Sequence, residues 1–228
     1  MQQLKTQAIV LSRTNYGEAD RIVTVLTPEV GKLRLMARGV RVLKSKLAGG
    51  IELFSINDIS YIRGRSELAT LTSARLNRNF GQILSDIERV QFGYELLKTI
   101  NQMTEDQPEA AYFELLAESL NGLNDLAVPL GVNRLWFMSR LLALSEHTPN
   151  LITDNLGQAL AENTRFNFDL STMSFNAQPE GKYSAEQIKF MRIGFGATSP
   201  KVLARVIQAE VLSEQLLSLI NLLHEQQL

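Results

Sequence analysis

Between residues 32 and 38 the chain alternates strictly. Leu33, Leu35 and Ala37 fall on one side, and Lys32, Arg34, Met36 and Arg38 on the other. A period of two is expected of a strand with one buried face. Residues 6–14 are rich in β-branched and apolar positions and stop at Asn15-Tyr16-Gly17. Residues 22–27 form a second apolar run, ended at Pro28. Thr27-Pro28-Glu29-Val30-Gly31 reads as a turn, because proline presets one backbone angle and glycine admits positive φ. A loop follows over 39–50, closed by Gly49-Gly50. Residues 51–62 then predict a long strand bent near Asn57-Asp58, Arg63-Gly64-Arg65 a hairpin tip, and residues 67–76 a last strand. Five strands in about 75 residues, joined by glycine-bearing turns, predict a small closed barrel of the OB type. An SH3-like barrel is the rival that the pattern leaves open.

From Phe80 the period changes. Ile83, Ile87, Val90, Tyr94 and Leu97 step by four and three, as one helical stripe does. Pro108 opens a second helix with Phe113, Leu116, Leu120 and Leu123 along one side, broken at Pro129-Leu130-Gly131. Residues 132–146 predict a third, apolar through Leu135, Trp136, Met138, Leu141, Leu142 and Leu144, and so central in a bundle. Residues 166–170 and 173–175 suggest a short hairpin. Ser184-Ala185-Glu186-Gln187 fits a capping box, and Gly194 and Gly196 end the helix it starts. Ser199-Pro200 starts the last helix, with Ser199 as cap and proline at its first position. Its expected core face is Val202, Val206, Ala209, Leu212, Leu216, Leu219 and Leu223. The fold class is therefore α+β: an N-terminal five-stranded OB-fold β-barrel over residues 1–78, followed by an α-helical C-terminal domain over residues 79–228.

Composition is that of a globular chain, with 45% hydrophobic and 21% charged residues. There is no cysteine, which excludes disulfides and thiolate metal sites. The N-terminus lacks the layout of a signal peptide, and no apolar run has the length of a membrane span, so the cytoplasm is the expected compartment. The net charge of −1 hides a division: residues 1–80 carry 13 Lys/Arg against 6 Asp/Glu, and the remainder carry 10 against 18. Such a split predicts two regions with different partners.

Catalytic chemistry finds no support. His147 and His224 are the two histidines, neither with a metal-ligand neighbour at the required spacing. Each falls near a helix end, where a cation is structurally favourable. Glu18 and Asp20 read as part of a turn, pairing with Arg21 or accepting backbone amides. Residues 194–199 are glycine-bearing but lack the pattern of a phosphate loop, and no nucleophile elbow occurs. The expectation is a protein that is not an enzyme and holds no metal or cofactor.

One grouping remains. Lys32, Arg34 and Arg38 share a strand face. Arg41, Lys44 and Lys46 follow within one loop, and Arg63 and Arg65 flank the tip after the fourth strand. No acidic residue occurs between Val30 and Ile51. A solvated surface mixes signs, so this bias points to a polyanion, and phosphates are the commonest. Aromatics are few here: Tyr16, Phe54 and Tyr61. Binding led by charge, with weak sequence preference and steep salt dependence, is expected rather than base stacking on rings.

The string Tyr16-Gly17-Glu18-Ala19-Asp20-Arg21-Ile22-Val23 resembles the start of the bacterial RecO family. So do Leu26-Thr27, Gly31-Lys32, Ala37-Arg38-Gly39 with Arg41, Lys44-Ser45, Leu53-Phe54 and Leu68-Ala69-Thr70-Leu71, in order across residues 6–76. The rest is similar in outline only. The resemblance implies an OB-fold joined to a helical domain. It implies a DNA repair and recombination mediator that binds single- and double-stranded DNA at the nucleoid and anneals complementary strands. It also implies work with RecR, and loading of the recombinase onto strands covered by single-strand binding protein (SSB), whose acidic C-terminal tail it contacts. Arg38, Arg41 and Lys44 would touch DNA, and Gly17 and Gly39 would be turn glycines. Many members carry a four-cysteine zinc module in the C-terminal domain. This chain has none, and Phe166, Phe168, Leu170 and Phe175 are expected to pack in its place. An RNA-binding OB module, and a scaffold docking acidic protein tails, remain the alternatives.

Overall fold

The computed structural model describes residues 3–64, 68–105, 107 and 110–225. Contacts divide the chain into two compact units, the first ending at Asp125 and the second beginning at Leu126. This division does not coincide with the change of period at 78/79, because the first two long helices belong with the barrel.

The barrel comprises β1 (Gln3–Tyr16), β2 (Asp20–Thr27), β3 (Gly31–Ala37), β4 (Ser55–Ile62) and β5 (Ala69–Asn79). It is closed, in the order β1-β2-β3-β5-β4. A parallel pairing of Leu35 and Met36 with Ala69 and Thr70 joins β3 to β5. This five-stranded arrangement is the OB barrel rather than its SH3-like rival. The interior is filled by the inward set of each strand, among them Val10, Val23, Val25, Leu33, Leu35, Ala37, Ile59, Tyr61 and Leu71.

β4 starts at Ser55 and not at residue 51. Phe54 is buried with φ at 55°, a value that ends an extended run. The Ser55 hydroxyl donates to the Glu52 carbonyl at 2.7 Å, closing a turn. Ile51 still enters the barrel core, and Ala48–Gly50 forms a 3₁₀ turn before it. A Cβ on Gly50 would lie 2.5 Å from the backbone carbon of Ala74, so this turn sits directly on β5. β5 in turn runs on to Asn79, past the expected end at Leu76. Arg65, Glu67 and Pro108 lie outside the described residues.

α1 (Ile87–Met103) is capped by the Asp86 carboxylate, which accepts the Glu88 and Arg89 amides. Its buried stripe is Arg89, Phe92, Gly93, Leu96, Leu97 and Ile100. The predicted stripe was rotated away from it: Ile87 and Tyr94 are exposed. Gly93 has no side chain because the Phe54 ring fills that space; a Cβ there would meet it at 2.7 Å. Tyr94 meets the same ring edge-on, with centroids 5.3 Å apart. α2 (Ala110–Asn124) buries Phe113, Leu116, Leu120 and Leu123 as expected.

In the second unit α3 (Leu130–Leu144) packs against α4 (Ala185–Gly196), α5 (Pro200–Leu203) and α6 (Ala209–Glu225), and is central. The Trp136 indole donates to the Ala197 carbonyl at 2.9 Å. The Ser184–Gln187 capping box is present, and Gly194 lies inside α4 rather than at its end. The last helix is broken: Gln208 has φ at 59°, α6 starts at Ala209, and Ser199 makes no side-chain cap bond. The buried positions of α5 are therefore Pro200 and Leu203, while Val202 is exposed.

Strands β6 (Arg165–Asp169), β7 (Ser174–Ala177) and β8 (Tyr183–Ser184) make a small sheet. With no thiolate available, rings hold it. Phe166 and Phe175 are buried, and Phe175 meets Phe168 and Tyr183 edge-on at 5.0 and 5.9 Å. Leu170 is exposed and takes no part in that packing, where Tyr183 stands instead. These residues do not fit a zinc ion.

Candidate nucleic-acid interface

The chain between β3 and β4 carries half of the predicted cations, Arg38, Arg41, Lys44 and Lys46, and its first turn is fixed from below. The β1–β2 turn at Gly17 (φ 57°) brings three acceptors to it. Asp20 accepts the Gly39 amide at 2.7 Å. The Ala19 carbonyl accepts the Arg41 amide at 2.9 Å. The Gly17 carbonyl accepts the Arg41 guanidinium at 3.0 Å. Gly39, with φ at 63° and open space where a Cβ would stand, lets the chain leave β3 sharply. Asp20 is thus an amide acceptor within a turn, as read from the sequence, and Arg21 donates to Asn15 instead.

Arg38, Arg41, Lys44 and Lys46 are all exposed. Arg34 is exposed on the outer face of β3, opposite Thr24. Met36, between Arg34 and Arg38, pairs with Thr70, and Thr70 pairs with Ile62. Two strand spacings of roughly 4.8 Å therefore separate Met36 from the strand that leads into exposed Arg63. Among the described residues no carboxylate forms an ion pair with Arg34, Arg38, Lys44, Lys46 or Arg63. Arg65 lies outside the described residues.

Lys32 is a correction. Its ammonium donates to the Asn101 and Thr104 carbonyls at 3.1 and 2.5 Å, at the C-terminal end of α1. A cation there satisfies carbonyls that lack helical partners and meets the negative end of the helix dipole. Lys32 is a structural residue. Sequence reasoning in turn passed over Arg75, exposed on β5 opposite Asp58 and next to Ala74, the residue on which Gly50 rests. The strand was expected to end one residue later, which left Arg75 at a margin rather than on a surface.

Asp20→Ala is expected to loosen the basic loop without unfolding the barrel. A carboxylate bond to a backbone amide is worth about 1.5–3 kcal/mol. Hydrogen exchange at Gly39 and Arg41 should rise at least tenfold, and Asp20→Asn should recover part of the protection. Unchanged exchange in Asp20→Ala would mean that the loop is held elsewhere.

Both histidines belong to the second unit. His224 stands in the last turn of α6, where burial pushes its pKa below the ordinary value, against a smaller opposing pull from Glu225. Among the described residues no group of three or more His, Asp or Glu side chains could hold a metal ion, and no helix is long and apolar enough to cross a membrane.

Residues 1–80 match the family model described as Recombination protein O N terminal. The chain is similar to the DNA repair protein RecO of Roseiflexus sp. (strain RS-1), 38% identical over 121 residues, covering 53% of this chain and 42% of the relative. It is similar to that of Dehalococcoides mccartyi (strain ATCC BAA-2266 / KCTC 15142 / 195), 32% identical over 148 residues, covering 64% and 58%. The DNA repair protein RecO of Alkaliphilus metalliredigens (strain QYMF) is 30% identical over 165 residues, covering 72% and 67%. The chain thus spans about half of the first two relatives and two thirds of the third.

Proposed function

Because the chain belongs to the RecO family of DNA repair and recombination proteins, we propose that its barrel binds single- and double-stranded DNA through the β3–β4 connection and anneals complementary strands. The observation that carries this reading is the run of exposed cations, Arg34, Arg38, Arg41, Lys44 and Lys46, none in an ion pair among the described residues, beside a turn whose Asp20 carboxylate already accepts a backbone amide. Cations held on one strand end and one loop bring two phosphate backbones together and lower their repulsion. Base pairing then does the rest, so the protein needs no bond chemistry and acts as a mediator, not an enzyme. On this reading it works in the cytoplasm, at the nucleoid. Its partners are RecR and the acidic tail of SSB, and it helps load the recombinase onto SSB-covered strands.

The test is a titration of labelled oligonucleotides at several salt concentrations, with strand annealing measured with and without SSB. Affinity for a single strand should fall steeply, with a log–log slope of about −3 for four or five phosphate contacts. Annealing of SSB-covered strands should be faster with the protein present. A salt-independent affinity, or an affinity for an SSB tail peptide with none for oligonucleotides, would reject DNA binding in favour of an acidic-tail scaffold. Tighter binding of a matched RNA would favour the RNA module.

A further inference from the structure

The basic loop carries an apolar tip that phosphate binding does not explain. Val42 and Leu43 stand between Arg41 and Lys44, and their relative exposures are 56% and 105%. Exposed apolar residues scattered singly are ordinary on any surface. Here two adjoin at the apex of a turn, where Gly, Asn, Asp or Ser is the usual choice. The apex is also preformed. The Val42 amide donates to the Gly39 carbonyl at 3.3 Å and the Ser45 amide to the Val42 carbonyl at 2.9 Å. The Leu47 amide donates to the Ser45 hydroxyl at 3.3 Å. Below them, Asp20 and Ala19 fix Gly39 and Arg41. Leu43 is thus held out into solvent by a chain that has little freedom to fold it back.

Resting on the DNA-binding reading above, we infer that Leu43, seconded by Val42, is an apolar wedge that packs on the faces of unpaired bases while the flanking cations hold their phosphates. The charge around the tip selects this occupant. Exposed Arg38, Arg41, Lys44 and Lys46 flank it along the chain, and no carboxylate lies between Val30 and Ile51, so a ligand that reaches Leu43 meets a cluster of cations. A nucleic-acid strand offers both surfaces at the required spacing: anionic backbone outside, apolar base faces inside. In a closed duplex the faces are stacked away from reach, so the wedge favours single strands and frayed ends. It supplies from an aliphatic side chain what many OB-fold binders take from aromatic rings.

The test compares a thymine oligonucleotide with an abasic oligonucleotide of equal length, which carries the same phosphates and no bases. The wild-type protein should bind the thymine strand about tenfold more tightly, the order expected for burying one leucine side chain. Leu43→Ser should erase most of that preference and leave the salt slope unchanged, since it removes no cation. Leu43 touches nothing that folding needs, so the variant should melt as the wild type does. A preference that survives Leu43→Ser overturns the inference while leaving DNA binding intact. So does a variant whose only change is loss of self-association in sedimentation, which would assign the tip to a second copy. Wild-type protein that binds neither strand would reject the functional reading itself, and the wedge with it.

Discussion

Changing Arg38, Arg41 and Lys44 together to glutamate is expected to lower single-strand affinity about a hundredfold near 0.1 M salt, and to change it little near 1 M. Each phosphate neutralised on a single strand contributes about 0.7 to the salt slope. Three lost contacts remove about 2 from it, and a slope of 2 across one decade of salt is a factor of about 100. Reversal also adds repulsion, which makes this a floor. The barrel should survive. All three side chains are exposed, and the Arg41 amide that reaches Ala19 belongs to the backbone, so any residue keeps it. Fluorescence anisotropy at several salt concentrations reads the result. An affinity within twofold of wild type near 0.1 M would reject this loop as the interface. Equal losses at low and high salt would mean that the residues act by something other than phosphate contact.

The same comparison separates Lys32 from its neighbours on the strand. Parity places Lys32 beside Arg34, and parity is right about the backbone: Leu33, Leu35 and Ala37 are buried, and Arg34 is exposed. It says nothing about what lies over the outer face. There the end of α1 offers carbonyls to the Lys32 ammonium, a contact across 69 and 72 residues that no local pattern encodes. The β1–β2 turn shows the opposite case. Asp20 and Gly39 are 19 residues apart and both legible as turn chemistry, and they turn out to bond to each other. Local geometry was thus readable at several places where one element decided it: the period of β3, the capping box at Ser184, the hairpin read at 166–170 and 173–175. It failed where a second element decided. Phe54 ends the extended run because its ring packs on Gly93 of α1. The α1 stripe is likewise rotated from its apolar period because Arg89 and Gly93, not Ile87 and Tyr94, face inward.

Arg89→Met is expected to cost the first unit about 3 kcal/mol or more, although its new side chain is apolar and nearly isosteric. Arg89 is 7% exposed and opens the buried stripe of α1, a position that patterning assigns to a hydrophobe. Its guanidinium donates to the carbonyls of Leu123 at 2.7 Å and Asp125 at 3.3 Å, where α2 ends. Neither α1 nor α2 has a basic residue in its own last turn, so the cation that each terminus favours must come from elsewhere in the fold. Lys32 supplies it to α1 and Arg89 to α2. Methionine fills the space but removes the donor to the buried Leu123 carbonyl and the charged donor to the half-buried Asp125 carbonyl, at about 1–3 kcal/mol each. Removing one partner of a buried charged contact is correspondingly severe. In calorimetry the transition of the first unit should fall by about 6–12 °C, for roughly 2–4 °C per kcal/mol in a protein of this size. A shift under 2 °C would show that the C-terminus of α2 is satisfied without Arg89. Oligonucleotide affinity measured below the transition should hold near the wild-type value, because the charge removed here lies inside the unit and not on the loop.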